Sequence, residues 1–286
     1  MKIYLLLLRF YFKLISAIAP KFAASQAFNL FQRPINGMIK PLEKSFFDRV
    51  ERFRIAHRSE PIDCFELGDK DGKIVILIHG WESNAGSMSA IATSLADQGY
   101  RVVLFNLPAH GHSKLKKANL KTCSDTLDSV LRYYQYSGTP SIVSHSFGSA
   151  VATYTLAKKG YPVDKFIMLS TPDKIMDIFK NFKKVISLGN EAFNKMLQQV
   201  KEILGEDLDK VAINSLTQQI KYDELSIIHD EFDRVLPYEN SRNVYENSPK
   251  ATLTTLERVG HYKMLWNNSV IQSVSLTLGS SRKRAA

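Results

Sequence analysis

Cysteine is scarce in this 286-residue chain, with only Cys64 and Cys123 present. They lie far apart, form no CxxC pair and have no histidine cluster beside them. That excludes a disulfide-built scaffold and leaves no zinc-ligand pattern. One disulfide or two buried thiols would accommodate them, and buried thiols are the simpler reading. Low-complexity tracts and internal repeats are also missing, which excludes collagen-like, solenoid and disordered chains. So is any long uninterrupted hydrophobic run. A spanning helix needs about 20 mostly apolar residues, but the greasiest stretch, residues 2–18, is broken by Arg9 and Lys13 and followed by Pro20.

Negative charge is lacking at the two ends. The net charge is +10, yet residues 1–58 hold 11 basic and 3 acidic side chains, and residues 282–284 are Arg-Lys-Arg. The body between them, with 24 basic and 25 acidic side chains, is almost neutral. A basic body gripping nucleic acid is thereby excluded. On a helical wheel Lys2, Arg9, Lys13 and Ser16 fall within roughly 60° of one another, and nearly everything else in residues 2–18 is apolar. A narrow basic stripe on a greasy helix is the pattern of a helix lying in a membrane interface. Two other readings stay open: a helix docked on the domain, and a signal peptide whose apolar part is residues 10–19. The expectation is a cytoplasmic chain held at the inner face of an anionic membrane, with residues 1–58 as a basic, apolar helical segment and residues 282–286 as a basic tail.

The body alternates strand and helix. Residues 62–67, 73–78, 101–107, 141–145 and 165–169 read as strands. Residues 73–78 (KIVILI) and 101–107 form continuous apolar runs, as strands buried on both faces do. Residues 85–98, 122–136 and 147–159 have helical spacing. Short links between them predict an α/β fold, a mostly parallel sheet with helices on both faces. The alternation stops at residues 173–222, where Ile175, Ile178, Phe179 and Phe182 recur at helical spacing. This predicts a helical insertion between the two parts of the core, 59–172 and 223–281. The sheet resumes at 225–229 and 251–257, and a closing helix starts near Tyr262.

The strand 141–145 ends in Ser144-His-Ser146-Phe-Gly148 and runs directly into a helix. A serine at such a turn is held in a strained backbone conformation with its hydroxyl exposed above the sheet. Small residues two before and two after, here Ser144 and Gly148, keep the turn free of clashes. On these residues the sequence resembles the α/β-hydrolase fold family over roughly residues 60–278, with Ser144 standing where the family's elbow has its first glycine. The resemblance implies a nucleophile at Ser146, an acid at Asp233 within Asp230-Glu-Phe-Asp233-Arg-Val-Leu-Pro237, and a base at His261 within Arg258-Val-Gly260-His261. Asp230 and, less so, Glu231 are local competitors for the acid. Ile78-His79-Gly80-Trp81 resembles the family's oxyanion loop. The donors it implies are the backbone amides of Trp81 and Phe147, with His79 and Gly80 ordering the loop. Residues 106–113 resemble the family's turn after the next strand, with Asn106 and Ala109 replacing Asp and Gly. His110 and His112 in that turn form an H-x-H pair, but no further ligand cluster lies near them, and neither metal nor cofactor is expected.

The resemblance implies a serine hydrolase working through an acyl-enzyme, with residues 173–222 as a cap over the site. A lipophilic carboxylic ester, such as a lysophospholipid or monoacylglycerol, is the expected small-molecule substrate. Thioester hydrolysis, acyl transfer, amide hydrolysis and C–C cleavage use the same arrangement. A non-catalytic binding protein on this fold is the alternative of a different class.

Overall fold

The computed structural model describes residues 2–35 and 39–280; the basic tail expected at 282–286 lies outside them. Three helices come first: α1 (Lys2–Ile18), α2 (Pro20–Phe31) and α3 (Pro41–Phe47). The sheet begins with β1 (Glu51–Ile55), β2 (Ile62–Gly68) and β3 (Ile74–Ile78), followed by a 3-10 turn at Ala85–Met88 and α4 (Ser89–Ala96). Then come β4 (Arg101–Phe105), α5 (Leu120–Tyr133), β5 (Ser141–His145), α6 (Phe147–Lys159) and β6 (Val163–Leu169). Helices α7 (Ile175–Ile186), α8 (Asn190–Leu204) and α9 (Ile213–Thr217) separate β6 from β7 (Tyr222–Asp230). The last described elements are α10 (Tyr238–Glu246), β8 (Ala251–Leu256), a 3-10 turn at Lys263–Trp266 and α11 (Asn268–Gly279).

The eight strands form one sheet in the order β1-β2-β4-β3-β5-β6-β7-β8. From β4 to β8 every pairing is parallel, while β1 and β2 add an antiparallel edge. The run at β3 explains itself in the packing. Ile74, Ile76 and Ile78 belong to the core beneath α5 and α6, and Val75 and Leu77 to the core beneath α4 and α11. A strand sandwiched by helices has no solvent face, so it carries no polar alternation. The order reverses at β3: the chain passes from β3 to β4 on one side and returns to β5 on the other. Ile78 pairs with Ser144 there, so the loops leaving β3 and β5 emerge side by side. A reversal of strand order opens a crevice at the carboxyl ends of the strands.

One expectation needs correcting. Residues 1–58 are not helical throughout, because Glu51–Ile55 is an edge strand paired with β2. Its sequence, Glu-Arg-Phe-Arg-Ile, buries only Ile55. Arg52 and Arg54 both bond the Asp63 carboxylate, at 2.9 and 3.0 Å. A charged edge strand of this kind discourages pairing with other chains, and it carries little hydrophobic signal. Cys64 and Cys123 are free and buried, and burial raises the Cys64 thiol to about 12.

Helices α1 and α2 pack onto the helices that follow β6. Arg9 Nε donates to the Val185 carbonyl at 2.8 Å, Gly189 N–H donates to Ser16 Oγ at 3.0 Å, and Gln199 Nε2 donates to Ser25 Oγ at 3.0 Å. The Phe31 ring stacks against Phe179 and Phe182, with centroids 4.3 and 5.0 Å away. No helix among the described residues is long and apolar enough to cross a membrane.

Candidate active site

Ser146 stands between β5 and α6 with φ 52° and ψ −122°, a conformation that side-chain-bearing residues rarely adopt. Its surroundings hold it there. Ser146 N–H donates to the Leu169 carbonyl at the end of β6, and Ser149 N–H donates back to Ser146 O, each at 2.9 Å. Gly148 is required by close approach: a Cβ there would lie 2.5 Å from the carbonyl oxygens of both Ile78 and His79. Ser144, at the family's glycine position, is fully buried. Its hydroxyl reaches the Ile167 carbonyl at 3.2 Å and Ser149 Oγ at 3.0 Å. The substitution therefore leaves no unsatisfied polar group at Ser144.

Three of the expected residues, delivered by three different strand ends, form one chain of contacts. Ser146 Oγ lies 2.9 Å from His261 Nε2, and His261 Nδ1 lies 2.6 Å from Asp233 Oδ2. The Asp233 side chain is wholly buried. Its other oxygen accepts the backbone N–H groups of Val235 and Leu236 at 2.7 and 3.1 Å. His229 Nε2 approaches Oδ2 at 3.2 Å, while its Nδ1 is held by Ser241 Oγ at 2.6 Å. Burial by itself raises the Asp233 carboxyl, but the bonds from His229 and His261 outweigh it and hold the group well below the usual carboxylate range. It is therefore ionised and accepts from His261 Nδ1–H, which leaves Nε2 free to take a proton from Ser146.

Asp230, the competing acid, faces elsewhere. Its carboxylate accepts from the backbone N–H groups of Phe232 at 2.7 Å, Arg258 at 3.2 Å and Gly260 at 2.5 Å. It ties the loop after β7 to the loop after β8, which carries His261. Glu231 is exposed.

The loop after β3 is held by two imidazoles. Leu107 N–H donates to His79 Nε2 at 3.0 Å, so the ring's Nδ1 carries the proton and donates to Gly80 O at 2.8 Å. The peptide is planar and trans, so fixing the Gly80 carbonyl also fixes the opposite direction of the Trp81 N–H. A Cβ on Gly80 would sit 3.1 Å from Ser146 Cβ, which shows how closely this loop passes the elbow. The Trp81 and Phe147 rings meet edge to face at 5.3 Å. Phe147 is the first residue of α6, where an N–H has no partner within the helix.

His110 and His112 are both engaged within the turn. His110 Nε2 accepts Glu82 N–H at 3.1 Å and its Nδ1 donates to Pro108 O at 2.8 Å. His112 Nδ1 accepts from Asn106 Nδ2 at 3.2 Å. Asn106 Oδ1 in turn accepts Ala85 N–H at 3.0 Å, which ties this turn to the segment after β3.

Two residues of the site escaped sequence reasoning. His145 Nε2 donates to the His261 carbonyl at 2.9 Å, and its ring packs on the His261 ring at 4.8 Å. His229 is the fourth donor to Asp233. The one available signal was their position, each next to a carboxylate or hydroxyl already singled out.

A family model described as alpha/beta hydrolase fold matches residues 73–221, just over half of the chain. Over 108 residues the sequence is 28% identical to the Haemophilus influenzae protein named "Probable lysophospholipase L2", a match covering 34% of each chain. It is 23% identical over 150 residues to phospholipase YtpA of Bacillus subtilis, covering 51% of this chain and 57% of that one. In both cases the chain spans less than two thirds of the relative's length. Among solved structures, esterase Pf2001 of Pyrococcus furiosus shares the fold with a TM-score of 0.64 at 17% identity, covering 86% of this chain and 95% of that one.

Proposed function

The chain belongs to the α/β-hydrolase fold family, and from that premise we propose that it is a serine hydrolase cleaving a lipophilic carboxylic ester through an acyl-enzyme on Ser146. The observation that carries this reading is the unbroken contact chain from a strained serine through His261 to a buried, ionised Asp233.

The Ser146 oxygen attacks the ester carbonyl carbon while its proton passes to His261 Nε2. The carbonyl π electrons move onto oxygen, and the N–H groups of Trp81 and Phe147 receive the oxyanion. Each such donor is worth about 3 kcal/mol of barrier. Collapse of the tetrahedral species breaks the bond to the alcohol, which leaves with the proton from His261. Water then attacks the Ser146 ester with His261 as base, releasing the acid and restoring the serine. Asp233 keeps the His261 proton on Nδ1 between steps and stabilises the imidazolium that forms.

One observation supports a lipophilic substrate: the relatives reported above are named as a probable lysophospholipase and a phospholipase.

Labelling of the full chain with a fluorophosphonate probe tests the nucleophile. Wild type should be labelled and Ser146→Ala should not, and a folded wild type that stays unlabelled overturns the reading. A panel of p-nitrophenyl esters from acetate to palmitate tests the substrate class. The ratio kcat/KM should rise with chain length; a maximum at acetate overturns the lipophilic assignment. Faster turnover of the matching acyl thioester would reassign the chain as a thioesterase.

A further inference from the structure

We propose that the outward face of α1 is a docking surface for an anionic lipid bilayer. Helix α1 holds the molecule by only one side. Phe12 and Ser16 are buried against the helices after β6, and Leu8 and Ile15 are half-buried beside them. The opposite side is apolar and bare. Ile3, Leu6, Leu7, Phe10, Leu14 and Ile18 are each between 50% and 75% exposed. They run the length of a 17-residue helix, which is about 25 Å at 1.5 Å per residue. Phe22 at the start of α2 continues the stripe, with half its surface in solvent. Contiguous apolar surface on that scale marks an interaction face rather than ordinary surface.

Charge decides what the face meets. Before Glu43 the sequence contains no acidic residue at all. Arg9 and Lys13, both exposed, lie along one flank of the apolar stripe. Along the other flank runs a groove of about 410 Å³ between α1 and α2, lined by Leu8, Tyr11 and Leu30 with Arg33 and Lys117. Apolar residues between two cationic margins match a layer of acyl chains beneath anionic headgroups. A second copy of this chain would bring the same positive margins against each other, so the charge favours lipid over self-association. At 17 residues with two internal charges the helix lies in the interface and does not cross it.

The same segment leads to the rim of the candidate active site. After α2 the chain reaches Ile35, whose N–H donates to the Glu82 carboxylate at 3.0 Å, one residue beyond Trp81. The docking surface itself does not depend on what reaction the chain performs.

Co-sedimentation of the full chain with phosphatidylcholine vesicles, with and without phosphatidylglycerol, is the test. Wild type should bind the anionic vesicles at least tenfold more tightly, and about 1 M salt should remove that difference. Leu7→Asp combined with Phe10→Asp should weaken binding to both vesicle types at least tenfold. These side chains face solvent, so circular dichroism and fluorophosphonate labelling should be unchanged. Lys13→Gln with Arg33→Gln should erase the preference for anionic lipid and leave residual binding. Absence of binding by wild type overturns the proposal, as does binding indifferent to Leu7→Asp/Phe10→Asp. A concentration-dependent dimer that this double variant dissociates, without vesicle binding, assigns the face to a second copy instead. A negative labelling result with intact vesicle binding would overturn the hydrolase reading alone.

Discussion

Asp230 and Asp233 are three residues apart and both lose their side chains from solvent, yet they do different work. Asp233 accepts from two histidines and Asp230 from three backbone amides. Replacing each by asparagine should separate chemistry from architecture. Asp233→Asn lets the amide donate where the carboxylate accepted, which favours the wrong His261 tautomer. Ester turnover and the labelling rate should fall about 10³–10⁴-fold, with KM little changed. Asp230→Asn loses acceptors for buried N–H groups, and should lower stability by about 1–3 kcal/mol in urea unfolding. Equal catalytic losses without a stability change at Asp230 would contradict this division. The resemblance to the family's motifs pointed to Ser146, Asp233 and His261, and each stands just after a strand. His145 bonds a carbonyl 116 residues away in another loop, and His229 bridges Asp233 and Ser241 through the fold of the loop after β7, so their bonds depend on loop conformations that the sequence pattern does not give.

The buried parallel elements were the legible ones. Runs such as 74–78 and 101–105 have no solvent face, and the helices that cover them keep a helical apolar spacing. The edge strand Glu51–Ile55 was lost among the basic residues around it because its side chains face water and salt-bridge partners. Crossing distances between elements are also invisible to sequence, and Gly148 shows what that hides. The start of α6 passes so close to the end of β3 that a methyl group would meet two backbone carbonyls at 2.5 Å. Gly160, at the other end of the same helix, has open space around it but a φ of 73°. Gly160→Ala should therefore cost about 1 kcal/mol through backbone conformation alone. Gly148→Ala should cost about 2–3 kcal/mol, because the helix must move off the sheet. It should also slow fluorophosphonate labelling, since Ser146 and the Phe147 amide move with the helix. Urea midpoints of the two variants compare the costs directly; a milder effect at Gly148 would mean that α6 has room to shift.

Across the whole molecule, the histidines around the site form a set with one thermodynamic consequence. Burial is the leading cause that lowers His79 and His145 to about 3 and His110 to about 4, against 6.5 in an ordinary setting. All three rings are neutral in the folded state because burial disfavours the imidazolium, and at His79 and His110 the Leu107 and Glu82 N–H groups donated to Nε2 need a neutral ring; the bonds to the Gly80, Pro108 and His261 carbonyls pull the other way and are outweighed. Between pH 6.5 and about 4 the unfolded chain binds these protons and the folded chain does not. Stability therefore falls as pH falls through that window, by roughly 1 kcal/mol per pH unit for each ring. Above pH 6.5 the three rings contribute no slope. Asp233, held below the usual carboxylate range, adds to the loss only below about pH 4. Urea unfolding at a series of pH values should thus show a stability that begins to decline near pH 6.5, well before most carboxylates titrate. His110→Gln removes one of the three protons, so its decline should be shallower by about one proton while the plateau above pH 7 drops. A variant slope equal to that of wild type would mean that His110 is protonated in the folded state, and that Glu82 N–H is held by something other than its Nε2.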